Sequence, residues 1–149
     1  MPYFNGTAQT LHLVSTYSLA EGSRGYPRVL EFQVIPADGG GVRLIVNEHL
    51  YSGPASTAPF CASPAQATPQ SFVLADRLEY CRFVYHEMIP ESPAAGNWIP
   101  SWNRPNLPSA VRVEMAPLVA DPSRLPVLNV TVPIHTTREV GAPYEDFQQ

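Results

Sequence analysis

The residues of this chain that could do chemistry are few and widely spaced. Its four histidines lie at positions 12, 49, 86 and 135, and no two of them have the spacing of metal ligands. His86-Glu87 resembles the start of a zinc-protease helix, but Pro90 stands where that motif needs its second histidine. We therefore expect exposed strand histidines, and we predict no metal site and no cofactor.

Three further patterns also fail to make a catalytic site. The glycine run 39–41 lacks the strand-to-helix context of a phosphate loop, and a hairpin turn explains it. Residues 22–25, Gly-Ser-Arg-Gly, lack the Gly-x-Ser-x-Gly pattern of a nucleophile elbow. None of the thirteen carboxylates is marked out as one of a catalytic pair. The sequence shows no catalytic residues, and we predict that the protein is not an enzyme.

Both tryptophans, Trp98 and Trp102, lie in the proline-rich stretch GNWIPSWNRPNLP, residues 96–108. Exposed, parallel rings would form a platform on which a sugar ring stacks. Buried rings would instead remove a large apolar area from water and anchor the loop to a sheet. Large aromatic residues near strands belong to the core more often than to a ligand site, so we favour the second interpretation.

The two cysteines, Cys61 and Cys81, leave their redox state open. In a secreted protein they could form one disulfide, whereas in the cytosol two buried thiols would be the default. Cys61 lies in the Pro/Ala/Ser-rich stretch 53–70, and Cys81 lies in a strand-like run. A disulfide often joins a loop to a strand, so either state fits the residues.

Length, composition and charge limit the classes of protein to consider. The chain of 149 residues fits one domain that folds without a metal or a disulfide framework. Its 17 prolines are spread along the chain and favour β structure over helices. The net charge of −4 argues against nucleic acid as a partner. No run of 18 apolar residues is present, so nothing in this sequence spans a membrane.

Alternation of apolar and polar residues predicts the strands that must position these side chains. A hairpin is predicted over 28–50, because Asp38-Gly39 stands in a turn between two alternating runs. Further strands are predicted over 10–17, 72–88, 109–116 and 126–134. The expected fold is a single, mainly β domain, 1–149, with antiparallel strands in two packed or strongly bent sheets. The long segment 52–70 and the tryptophan segment 89–108 are expected to be loops, and the tail 135–149 is expected to be loose.

The order of these features resembles the periplasmic domain of the minor pseudopilin J family of bacterial type II secretion systems. The likeness runs from about Phe4 to Leu118. Its most specific piece is the segment Leu-Pro-x-Ala-Val-Arg after a tryptophan, residues 107–112. The other similar pieces, in order, are 4–6 with 11–15, the hairpin 29–34 with 42–44, the run 83–85, and the loop with both tryptophans.

The resemblance implies a pilin-like, two-sheet antiparallel domain, which is α+β when the family's N-terminal helix is counted. That family begins with a basic leader, a cleavage site and a long hydrophobic helix, and none of these is present in this sequence. The implied location is the periplasm, with an inner-membrane anchor through the absent helix. An oxidising periplasm would favour a disulfide between Cys61 and Cys81.

The resemblance also implies a role in assembly. The expected partners are other minor pseudopilins, particularly the I and K types, and the major pseudopilin is a further candidate. Together they would form the tip of the pseudopilus, without turnover of a substrate. Trp98, Trp102, Leu107 and Pro108 would then be a structural loop, in which Pro108 holds Leu107 extended at the entry to a strand.

Three alternatives remain open from the sequence. One is a minor pilin of a type IV pilus or a competence system. Another is a secreted β-sandwich module that binds carbohydrate through Trp98 and Trp102. The third is a hydrolase whose site leaves no sequence signature.

Overall fold

The computed structural model describes residues 3–57, 68, 71–89, 92–121, 123 and 127–135, with the backbone alone for 92–95. In these ranges the chain forms β1 (Phe4–Gly6), β2 (Thr10–Ser18), β3 (Ser23–Pro36), β4 (Val42–Leu50), β5 (Phe72–Ile89), β6 (Ser92–Ile99), β7 (Ala110–Pro117) and β8 (Leu128–Pro133). A 3-10 helix, Pro54–Thr57, follows β4. No helix within the described ranges has the length and apolar character needed to cross a membrane.

All the described strands belong to one antiparallel sheet. Its order is β1-β2-β3-β4-β5-β7-β8, and β6 is paired with β5 beside this path. The prediction of a mainly β, antiparallel fold is confirmed. Within the described residues the strands form one curled sheet, and the division into two packed or strongly bent sheets stays a prediction.

The predicted hairpin over 28–50 is confirmed and joins β3 to β4. Its turn contains Gly40 and Gly41, which adopt φ angles of 87° and 71°. Glycine takes these left-handed angles without the steric cost of a β-carbon. Ala37 closes the turn, because its N–H donates to the carbonyl of Gly41 and its own carbonyl accepts from the N–H of Gly40. The hairpin register then pairs Phe32 with Val46.

The 18-residue strand β5 organises the sheet. Its first part pairs with β4 and its last part with β6, while β7 lies along the opposite edge. A bulge separates the two parts: Arg77 has a φ of 56°, and the register with β7 shifts between Leu78 and Tyr80. Bulges of this kind bend a strand and increase its twist. The bulge therefore helps β5 to serve two successive neighbours along one edge.

The turn between β1 and β2 lies against β5 and completes the curl. The N–H of Phe83 donates to the carbonyl of Ala8 over 2.9 Å. The hydroxyl of Tyr85 lies 2.9 Å from the carbonyl oxygen of Thr7 and 3.1 Å from that of Thr10. These contacts bring the first hairpin across to a strand more than 70 residues later.

The core lies on the inner face of this curl. Its buried residues are Phe4, Leu11, Val34, Leu44, Leu78, Cys81, Phe83, Tyr85, Trp102 and Val111. The alternation along β5 predicts Leu78 and Tyr80 on one face and Cys81 on the other. That prediction is wrong for Leu78, because the bulge inserts an extra residue and turns Leu78 to the same buried side as Cys81. Tyr80 is exposed.

Alternation did not predict two of the strands, β6 and β1. β6 lies inside the segment 89–108 that was predicted to be a loop, and it pairs Trp98 with His86. Proline and glycine within SPAAGNWI hide its strand character in the sequence. β1 has only three residues and pairs Phe4 with Leu13. Most of the segment 52–70, and residues 136–149 of the expected loose tail, lie outside the described residues.

Gly6 is predicted to be intolerant of any side chain. A β-carbon there would lie 1.9 Å from the hydroxyl oxygen of Tyr85 and 2.4 Å from its Cζ. Tyr85 cannot move aside, because its ring is buried and its hydroxyl is held by two carbonyls. We expect Gly6→Ala to lower the free energy of unfolding by roughly 1–3 kcal/mol, as overpacking of a core does, measured by urea denaturation.

The matched control is Gly25→Ala. A β-carbon at Gly25 meets no atom within 4 Å, so the free energy of unfolding should change little. Equal destabilisation by the two substitutions would contradict the close contact between Gly6 and Tyr85.

Candidate functional site

Trp102 belongs to the core. Its side chain is 2% exposed, and its Nε1–H donates to the carbonyl of Asn106 over 2.7 Å. Its backbone exchanges two hydrogen bonds with Gly6, at 2.8 and 2.9 Å. Pro108 is fully buried and Leu107 packs against the core. Three of the four residues predicted to form the structural loop are thus packed inside the curl.

Trp98 has a different environment, on the outer face of β6. Its ring lies 4.9 Å from the His86 ring between centroids, at an interplanar angle of 57°. The guanidinium carbon of Arg112 lies 3.8 Å from the centroid of the Trp98 ring, which is a cation–π contact. The two tryptophans do not form a paired, exposed platform, because Trp102 is buried and Arg112 occupies a face of Trp98.

The charges around Trp98 are paired with each other. Arg112 donates from Nε to the hydroxyl of Thr131 over 3.1 Å and lies 3.9 Å from the carboxylate of Glu114. The same carboxylate accepts from Nε of Arg82 over 2.5 Å. This outer face of β5, β7 and β8 therefore carries a chain of alternating charges, and each pair is solvent-accessible enough to contribute little to stability.

His86 and Ser109 form a serine–histidine contact that sequence reasoning missed. Nδ1 of His86 and Oγ of Ser109 are 2.6 Å apart, and the same hydroxyl lies 3.1 Å from the carbonyl oxygen of His86. An activated serine needs a base that a third group orients. Within the described residues no carboxylate hydrogen-bonds the His86 ring, so the contact serves to join β5 to the start of β7.

A row of buried polar side chains crosses β2, β3 and β4 on the face opposite the core. Nε2 of His12 lies 3.2 Å from one carboxylate oxygen of Glu31, and the amide of Asn47 donates to the other over 3.1 Å. The hydroxyl of Ser71 donates to the amide oxygen of Asn47 over 2.5 Å. His12 pairs with Glu31 and Glu31 with Asn47 in the strand register, so β2, β3 and β4 supply three members of the row and Ser71, just before β5, supplies the fourth.

Glu31 stays ionised in this row although its side chain is only 4% exposed. Burial acts most strongly and raises the pKa of Glu31. Hydrogen bonds from His12 and Asn47, with attraction to His12 and His49, together outweigh burial and hold the pKa below its ordinary value. The expectation that the strand histidines are exposed is wrong for His12, because the register places it over Glu31.

The polar row has the chemistry of a structural network. Its serine donates to an amide oxygen, so its hydroxyl proton is not directed at the histidine. No group of three or more His, Cys, Asp or Glu side chains that could hold a metal ion occurs among the described residues. No sequence signal indicated the row, because its members are 19 and 16 residues apart and only the register aligns them.

A second carboxylate, Glu48, holds the turn between β2 and β3. It accepts from the hydroxyl of Ser18 at 2.7 Å and from the N–H groups of Leu19 and Ala20 at 2.6 and 3.0 Å. Burial raises the pKa of Glu48, but these bonds and the nearby Arg28 together lower it below its ordinary value. Glu48 thus acts as a cap for a turn.

Cys81 is buried in the core, and burial raises the pKa of its thiol to about 11. A thiol with so high a pKa is a poor nucleophile at neutral pH. Cys61, the other half of the predicted disulfide, lies outside the described residues. The pairing of Cys61 with Cys81 therefore stays a prediction.

The apolar inner face continues onto β8, where it is exposed. Val111, which is buried, and Val113 of β7 pair with Val132 and Val130 of β8. Val130 and Val132 are 40% and 52% exposed. β8 ends the path of the sheet and pairs only with β7 among the described strands. We call this strand and its exposed valines the β8 edge.

No family model, no curated protein and no solved structure matches this chain. The described polar groups at His12, Glu31 and Asn47 bond to one another within the fold, and β8 exposes Val130 and Val132 to solvent.

Glu31 should make stability depend on acid pH. Its lowered folded-state pKa means that ionisation favours folding above about pH 4.5, its ordinary pKa, and that this contribution is lost as the pH falls through the folded value. We expect Glu31→Gln to lower the free energy of unfolding at pH 7 by roughly 1–3 kcal/mol and to weaken its dependence on acid pH. Urea denaturation at a series of pH values measures both.

The control for this prediction is Glu79→Gln, since Glu79 is an exposed residue of the same sheet. Some acid dependence should survive in Glu31→Gln because the pKa of Glu48 is also lowered. An unchanged acid dependence in Glu31→Gln would show that the row does not hold Glu31 ionised.

The two tryptophans should differ in fluorescence. In Trp98→Phe the remaining tryptophan is Trp102. The emission of Trp102 should be blue-shifted and weakly quenched by acrylamide, since its ring is buried. Trp102→Phe leaves Trp98, which should be quenched more strongly. Trp102→Phe should also lower the free energy of unfolding more, because it removes the bond to Asn106 and part of the core. Equal quenching of the two variants would contradict the separate environments.

Proposed function

We propose that this chain is a non-enzymatic assembly subunit of the minor pseudopilin type, which joins other minor pseudopilins at the tip of a type II secretion pseudopilus. The observation that carries the proposal is the order of the segments that resemble the minor pseudopilin J family. Those segments fall on β1 and β2, on the β3–β4 hairpin, on the end of β5, and on the tryptophan segment with β7. They are neighbours along one sheet.

The internal use of polar groups supports a role without catalysis. His12, Glu31 and Asn47 bond to one another, and Glu48 bonds to a turn. The hydroxyl of Ser109 and the ring of His86 are engaged between strands. Catalytic groups keep hydrogen-bonding capacity for a substrate, whereas these groups use theirs in bonds within the fold. A protein whose described polar clusters are structural is suited to binding through its surface.

The proposal includes a finer description of the fold and of its setting. The curled antiparallel sheet would be the globular part of a pilin-like domain, with the two-sheet arrangement of that family. An N-terminal helix outside this sequence would pack against it and anchor it in the inner membrane. The domain itself would lie in the periplasm, where Cys61 and Cys81 would be oxidised to a disulfide. Partners would be minor pseudopilins of the I and K types.

A pull-down with the whole chain as bait tests the proposal. The prey is the periplasmic and solubilised inner-membrane material of the source organism, and bound proteins are identified by mass spectrometry. We expect minor pseudopilins, above all the I and K types, because an assembly subunit binds its neighbours in the fibre. An unrelated acidic β domain of similar size is the matched control bait.

Other outcomes would change or end the proposal. Recovery of pilins of a type IV pilus alone would assign the chain to a pilus or competence system. Recovery of neither kind of subunit, by bait shown to be folded from its near-UV circular dichroism, would contradict an assembly role. Specific retention of oligosaccharides by that bait would favour a carbohydrate-binding module in its place.

A further inference from the structure

The backbone of β8 has hydrogen-bonding groups directed away from the sheet. The N–H of Ile134 donates to the carbonyl of Ser109 over 2.9 Å, in the same register that pairs Ala110 with Pro133. Hydrogen-bonded pairs alternate along an antiparallel ladder. Leu128, Val130 and Val132 therefore bond to β7, and the N–H and C=O groups of residues 129 and 131 point to the open edge.

Within the part of the chain that the structure describes, the β8 edge lacks the usual protection of an edge strand. Natural sheets protect their edges with charged side chains, bulges or prolines. Residues 127–132 carry no charge, and the β7–β8 register runs without a shift. Pro133 stands only at the end of the strand. The result is a short, regular, uncharged strand with exposed valines, which is a template for another strand.

We propose that β8 pairs with β8 of a second copy of this chain, antiparallel, across a two-fold axis between the two Val130 residues. In such a dimer the same strand of each copy forms the interface, so the residues of β8 must be complementary to the residues of a second β8. In this register Asn129 lies opposite Thr131 of the second copy, and the outward groups of both pairs form four backbone hydrogen bonds. The inference is independent of the proposed function.

The two neighbouring registers of the β8–β8 pairing form fewer backbone hydrogen bonds within the strand. Moving the pairing toward the C-terminus places Asn129 opposite Pro133, which has no N–H to donate. Moving it toward the N-terminus pairs Thr131 with Val127, which lies before the strand begins. The register centred on Val130 is therefore the one that uses all the outward groups within β8.

Side chains on both faces fit this register. On the inner face, Val130 meets its own copy and the partly buried Leu128 meets Val132, so the exposed Val130 and Val132 become covered. On the outer face, Asn129 lies beside Glu114, and Thr131 lies beside Arg112. Across the two-fold axis, Arg112 and Thr131 of one copy therefore line up with Asn129 and Glu114 of the other. The two aligned charges, Arg112 and Glu114, are opposite in sign.

Disulfide trapping tests the pairing. The experiment uses the full chain with Cys61→Ser, so that the remaining native thiol is the buried Cys81. Val130→Cys places two sulfurs at a non-hydrogen-bonded antiparallel pair, whose Cα atoms are about 4.5 Å apart, within the range of a disulfide. We expect mild oxidation to give a covalent dimer on a non-reducing gel. The control is Tyr26→Cys, an exposed position on β3, which should stay monomeric.

A mixture of Leu128→Cys and Val132→Cys chains checks the direction. The antiparallel register predicts the mixed dimer, and a parallel arrangement would give the two homodimers in its place. Trapping of Val130→Cys no faster than Tyr26→Cys would overturn the proposal. Homodimers from the mixture would overturn the antiparallel register.

Sedimentation of the unmodified chain over a concentration series supplies an independent measurement. Wild type is expected to dimerise reversibly. Thr131→Pro removes an outward N–H without touching the ladder to β7, and we expect at least about tenfold weaker dimerisation, since two bonds across the axis are lost. Thr131→Ala keeps that N–H while removing the hydroxyl that Arg112 contacts, and it should dimerise like wild type. A wild type that stays monomeric throughout, or equal loss in both variants, would overturn the proposal.

Discussion

The curl of the sheet depends on the contact between Tyr85 and the first hairpin. The Tyr85 hydroxyl, in the core, lies between the carbonyls of Thr7 and Thr10. Burial raises its pKa far above the ordinary value, so the hydroxyl keeps the proton that it donates. A side chain from β5 thus supplies a hydrogen-bond donor to the backbone of the turn between β1 and β2. Gly6 provides the room for this ring to approach the backbone.

The curl gives the two faces of the central strands different contents. One face of the central strands is apolar and closed by the curl, while the other face buries the row around Glu31. That row satisfies its own charge and amide groups by strand register. The polar side chains of this row thus join neighbouring strands to one another.

The two edge strands of the sheet, β1 and β8, differ in whether another segment of the chain bonds to them. At β1, the backbone of Gly6 bonds to Trp102, and the chain covers its own edge. At β8, residues 129 and 131 direct backbone groups outward beside exposed valines. Trp102 therefore has a clear physical role: its buried ring fixes the segment that covers β1. Among the described residues, one end of the sheet is therefore covered and the other has no strand paired to it.

The sequence by itself determined the strands whose alternation is strong, such as the hairpin with its glycine turn and the long β5. Local steric preference and periodicity are properties of neighbouring residues, so they can be read along the chain. Tertiary structure alone decided the burial of His12 over Glu31, the side taken by Leu78 after the bulge, and the strand β6 within a predicted loop. β6 pairs with β5 directly before it in sequence, but its proline and glycine hide the strand pattern. The other two depend on register between strands, and a shift of one residue reverses every side chain of a strand. The separation of Trp98 from Trp102 has the same cause, because only the curl buries one ring and leaves the other beside Arg112.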